Sequence, residues 1–129
     1  MKAFFKMVMN FLRKLPVAHM IKPVWKYALK EMVSKEIDFG AESLIEAVSK
    51  KGPDAVDKVI DGLQRRLKVG LILLPLPAGI LSEVTGFLDH EIDSFQANLS
   101  IAVSSGGAVA IRPLAEAFRD AILTRIETL

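Results

Sequence analysis

Asp89-His90-Glu91-Ile92-Asp93 is the stretch whose residue types come closest to metal or acid–base chemistry. On a helix, His90 and Asp93 at i,i+3 share a face with Asp89 beside them, which is how two or three ligands for a divalent cation would be presented. A hydrolytic or redox centre needs a further converging ligand, and the only other histidine is His19. The same spacing arises on any solvated polar face, and that reading is the expectation: no metal and no cofactor.

Nucleophilic and phosphate chemistry are equally thin. Ser104-Ser105-Gly106-Gly107 lacks the G-x-S-x-G arrangement that lifts a serine on a strand-to-helix turn, so it reads as a turn. Lys50-Lys51-Gly52-Pro53 is not followed by the Lys-Ser/Thr that a phosphate-cradling loop places at a helix start, and no G-x-G-x-x-G occurs. Asn98-Leu99-Ser100 fits a glycosylation acceptor, but it overlaps an expected buried helix end. With no cysteine in the chain, a thiolate nucleophile, a disulfide framework, a Cys-ligated zinc and an iron–sulfur centre are all excluded. The expectation is a protein that is not an enzyme.

Glu91 stands apart, because it falls inside the apolar arc of its own helix. A carboxylate there is a general base, a proton-linked switch or the partner of a buried cation, and the ion pair is the commonest of the three. Arg66, which strays toward the apolar arc of another helix, is the candidate partner.

The charge layout is more informative than any motif. Residues 1–35 hold eight Lys or Arg against Glu31 alone, a net +7 out of a whole-chain +2, which leaves −5 for the remainder. Such a split favours an anionic partner for the N-terminal part, or docking of that part on the chain's own acidic remainder. Residues 2–15 read as a helix stopped by Pro16, with Lys2, Lys6, Arg13 and Lys14 on one arc and Phe4, Phe5, Phe11 and Leu12 on the other. Lys6 and Arg13 interrupt its apolar run, so it is neither a membrane span nor a convincing secretion signal.

These groups must be carried by helices. At 129 residues the chain suits one domain, and 51% apolar content rules out disorder for most of it. A second helix is expected from Val24 to Glu36 with Trp25, Leu29, Met32 and Val33 on one face and Lys22, Lys26 and Lys30 on its flank, ending at Phe39-Gly40. A short third runs from Ala41 to Lys51, and a fourth opens at Pro53. From Val69 to Ser82 no residue is charged, and Leu71, Ile72, Leu73, Leu74, Leu76 and Ile80 leave no polar side on a helical wheel. A segment apolar all round is expected to be buried, as core first, or else as a re-entrant membrane dip or an oligomer contact. As a helix those residues would span about 21 Å, short of the roughly 30 Å hydrocarbon layer, and Pro75 and Pro77 break them midway. An amphipathic helix follows from Ile80 to Leu99, then an ambiguous small-residue stretch with a corner at 105–107, then a last helix from Ile111 to Thr128.

The fold expected is therefore all-α, a compact bundle of about five to six helices forming one domain over 1–129. It has a proline-broken apolar segment near 69–82 and a Gly-Gly corner, and residues 1–16 project or lie on a membrane. The functional expectation is a non-catalytic, membrane-associated structural or assembly subunit. Its lipid-binding residues would be Phe4, Phe5, Phe11 and Leu12 with Lys2, Lys6, Arg13 and Lys14, joined by Trp25, Lys22 and Lys26. The alternative is a soluble homo-oligomeric protein-binding or assembly subunit whose surplus apolar surface around 71–80 meets another chain. Nucleic-acid binding through the basic first third comes after both, since no groove-reading motif is present.

Overall fold

The computed structural model describes Ala3, Lys6 and residues 22–129. Ala3 and Lys6 are helical and exposed, and every other residue of the expected helix over 2–15, with its stop at Pro16, lies outside the described residues.

Four α-helices make up the rest: α1 (Lys22–Lys51), α2 (Val56–Leu73), α3 (Ala78–Gly106) and α4 (Ile111–Glu127). Short 3₁₀ turns at Pro53–Ala55 and Gly107–Ala110 lead into α2 and α4. No strand occurs among the described residues. Pro23 sits in the first turn of α1, where its missing N–H costs nothing. From there Trp25, Leu29, Met32, Val33, Ile37, Leu44 and Val48 return to the core at helical spacing.

The expected boundary at Phe39-Gly40 does not exist: α1 runs through it, so two of the expected helices are one. Gly40 is not a terminator but a point of close approach. A Cβ there would lie 3.1 Å from both terminal carbons of Leu63, so the missing side chain lets α2 lean onto α1. The real stop is Gly52, at φ 82° and ψ −171°, a region that only glycine enters without strain, followed by Pro53.

Pro75 and Pro77 act as expected. Leu74 turns extended (φ −82°, ψ 134°), as a residue before proline must, and α3 starts directly after Pro77. α3 then continues through residues 100–106, which settles that stretch as helix, and the corner falls at Gly106-Gly107, with Gly107 at φ 68°.

The helices alternate up and down. Gly40 meets Leu63, Glu36 meets Arg66 and Met32 meets Gly70, so α1 numbers fall as α2 numbers rise. Asp57 with Gln96 and Gln64 with Asp89 reverse α3 on α2 in the same way. Phe95 and Phe118 stack at 4.6 Å between centroids with planes 9° apart, joining α3 to α4, and Arg119 with Asp38 and Arg112 with Glu42 tie α4 back to α1. Among the described residues from 22 onward each helix thus packs on two neighbours around one apolar core, an antiparallel bundle of four helices rather than the five to six expected for the chain.

Candidate functional site

The alternation decides what shares an end. The start of α1, the 74–77 loop and the finish of α4 gather at one end, and residues 1–21 join the bundle there through Lys22. The two glycine-containing links lie at the other.

The outward face of α2 changes character along its length. Its first half presents Asp57, Lys58, Asp61 and Arg65 to solvent, whereas its last two turns present Val69, Ile72 and Leu73, which are 50%, 73% and 44% exposed. This corrects the expectation only in its core form: within one chain the segment is not buried all round. Leu71 and Leu74 fill the core, Leu76 and Ile80 are half-buried, and Ile72 and Leu73 face out. Bundle geometry gives the reason: a helix with two neighbours buries only the arc facing them, and its outer arc stays open whatever residues it carries.

Beside this apolar end lies the basic row of α1. Lys30 pairs with Glu127, and the Lys26 ammonium donates to the Glu127 carbonyl at 2.7 Å, capping the carbonyl end of α4. Partial desolvation, followed by the adjacent Lys22 and Lys30 charges, lowers the Lys26 ammonium from its usual pKa. Trp25 does not join this row: at 4% exposure it is a core residue, because its position on α1 faces the neighbouring helices while Tyr27 faces out.

Glu91 and Arg66 do not meet. Helix register gives each another partner: Arg66 Nε donates to Glu36 Oε2 at 3.1 Å, and Glu91 lies 3.6 Å from Arg125. Glu36 is buried, and its position on the inner face of α1 is the one signal that would have pointed to it. The Arg66 guanidinium also lies 4.6 Å above the Phe39 ring, and its Nη2 is sealed from solvent without an acceptor.

The Asp89–Asp93 stretch offers little chemistry in place. Asp89 accepts from Gln64 at 3.1 Å and pairs with Lys68 at 3.2 Å, while His90 and Asp93 are exposed. Among the described residues no group of three or more potential ligands converges on a metal position. The open cleft beside His90, about 370 Å³, is lined by Glu83, Phe87, Arg125 and Thr128, with the Arg125 guanidinium over the Phe87 ring, and the Thr128 hydroxyl donates to the Arg125 carbonyl at 2.7 Å. Ser104 and Ser105 bond back to carbonyls of their own helix, the ordinary use of a helical hydroxyl. Of the proposed lipid-contact residues, Phe4, Phe5, Phe11, Leu12, Lys2, Arg13 and Lys14 lie outside the described residues.

No helix among the described residues is long and apolar enough to cross a membrane. Comparison with known proteins finds no matching family model, no matching curated protein and no matching solved structure.

Proposed function

We propose that this protein is a non-catalytic component held at an anionic membrane surface by its basic N-terminal third, with the helical bundle serving as the body that is positioned there. The observation that carries this reading is the convergence at one end of the bundle. Exposed Val69, Ile72 and Leu73, the Lys22, Lys26 and Lys30 row, and the point where the chain enters α1 lie there, and the sequence leading to that point carries Lys2, Lys6, Arg13 and Lys14. No acidic residue precedes Glu31 in the sequence, so the cations of residues 1–30 have no acidic neighbour along the chain, and at the bundle end only Glu127 engages them, through Lys26 and Lys30. Each such cation adds about 1 kcal/mol near a charged leaflet, and Phe4, Phe5, Phe11 and Leu12 supply apolar area to the acyl boundary.

Deleting residues 2–15 tests the reading. Loss of binding to phosphatidylserine-containing vesicles, with the cooperative unfolding transition retained, is the expected result. If the deletion abolishes that transition, the segment belongs to the core and the reading is wrong. Light scattering that finds a stable oligomer which ignores vesicles would favour an assembly subunit instead.

A further inference from the structure

We infer that the α2–α3 hairpin tip, residues 69–82, is a second membrane element that dips into the acyl boundary of an anionic bilayer; this rests on the membrane reading above. The tip is bounded by charge on both arms. Lys68 is the last charged residue of α2 and Glu83 the first of α3; the register set by Asp57 with Gln96 and Gln64 with Asp89 puts them within about one turn of each other, and Lys68 reaches back along α3 to Asp89 at 3.2 Å. Between them lie 14 uncharged residues. From Val69 to the turn at Pro75 is about 9 Å of helix rise, which matches the roughly 5–10 Å depth at which amphipathic elements sit in the headgroup and acyl boundary.

The backbone of the turn suits that depth. An irregular loop is costly near lipid because its amide donors lack partners. Here Leu74 N–H donates to the Gly70 carbonyl at 3.2 Å and Leu76 N–H to the Leu74 carbonyl at 2.8 Å, while Pro75 and Pro77 carry no N–H. All four loop residues from 74 to 77 are thus free of an unsatisfied donor. The first amides of α3 lack a side-chain cap, so they need outside acceptors, and the ester and phosphate oxygens of headgroups supply these at the interface. That requirement limits insertion to the boundary and is inconsistent with full crossing. At the same end of the bundle lies the Lys22, Lys26 and Lys30 row of α1, with Lys26 and Lys30 turned toward Glu127 of α4, and such long stems let ammonium groups remain among anionic headgroups as the apolar arm enters. An apolar tip whose loop carries no unsatisfied amide donor suits lipid better than a protein face, and the four further cations of residues 1–21, attached at this end with no acid among them, favour an anionic bilayer over a second copy of this chain.

The absence of cysteine allows one site to be labelled at a time in the full chain. Ile72→Cys and, as control, Lys58→Cys on the charged part of the same helix receive an environment-sensitive fluorophore. They are then mixed with vesicles of phosphatidylcholine and phosphatidylserine in a two-to-one ratio. The expected result is a blue shift and quenching by shallow acyl-chain spin labels at Ile72→Cys and neither at Lys58→Cys. A label at Ile72→Cys that stays in water on vesicle-bound protein overturns the tip insertion and leaves the N-terminal anchor standing; absence of vesicle binding overturns both. A blue shift that needs only higher protein concentration assigns the tip to a second copy and overturns the inference. Ile72→Ser with Leu73→Ser, both on exposed positions, is expected to weaken vesicle partition at least about tenfold with the unfolding transition unchanged; an unaltered partition contradicts it.

Discussion

Replacing Glu36 by Ala removes the one anionic partner of Arg66 inside the α1/α2 seam. Glu36 is 7% exposed, its carboxylate accepts from Arg66 Nε at 3.1 Å, and Arg66 Nη2 already lacks an acceptor. Breaking a fully buried pair from one side costs about 3–5 kcal/mol. The Arg66 side chain is 37% open, so water recovers part of its solvation, and its seat over Phe39 is retained. The expected cost is discounted accordingly to about 1.5–2 kcal/mol, near the loss of one charge-assisted hydrogen bond. Glu36→Leu combined with Arg66→Met removes both polar ends together and is expected to lie within about 1 kcal/mol of the parent, on either side. Urea unfolding followed by circular dichroism reads both, with the denaturant slope held constant as the check that only the folded state changed. If Glu36→Ala costs less than about 0.5 kcal/mol, or if the double variant costs the full sum of its singles, the pair is not coupled and the reasoning fails.

Glycine positions give effects of opposite sign. Gly70→Ala places a Cβ 2.6 Å from Met32 Sδ in the core, and is expected to destabilise by about 1–2 kcal/mol after the gain in helix propensity, with relief in a Met32→Ala background. Gly86→Ala meets nothing within 4 Å inside α3 and is expected to stabilise by about 0.5–1 kcal/mol; thermal unfolding distinguishes the two, and equal signs would mean the α1/α2 approach is wrong. Gly107→Ala, at φ 68° and ψ −157°, is expected to cost about 1–3 kcal/mol from backbone strain alone, since a Cβ there finds open space.

Helix content and stop signals were legible because they are local. Prolines 53, 75 and 77 and the pair Gly106-Gly107 mark boundaries that need no knowledge of neighbours. Gly40 misled for the opposite reason: glycine ends helices by its conformational freedom but also admits a close neighbour by its lack of a side chain, and only Leu63 decides which. The pairing of Glu91 with Arg66 failed on the same ground. Each residue does meet an opposite charge, but the choice of Arg125 for one and Glu36 for the other depends on the up-down order and register, which no single helical wheel contains. The 69–82 segment exposes the limit of composition. Its hydrophobicity was plain, yet burial follows from how many neighbours a helix has, and α2 has two. Trp25 went the other way, from expected interface to core.

Contact with an anionic membrane at the basic, apolar end of the bundle is tested most directly by flotation of the full chain on neutral and phosphatidylserine-containing vesicles, each at low and high salt. Seven Lys or Arg and no acid within residues 1–30 require binding to anionic vesicles that weakens as salt screens the charges, with only the residual apolar contribution on neutral ones. Protein that stays at the bottom of the gradient with anionic vesicles at low salt contradicts the account.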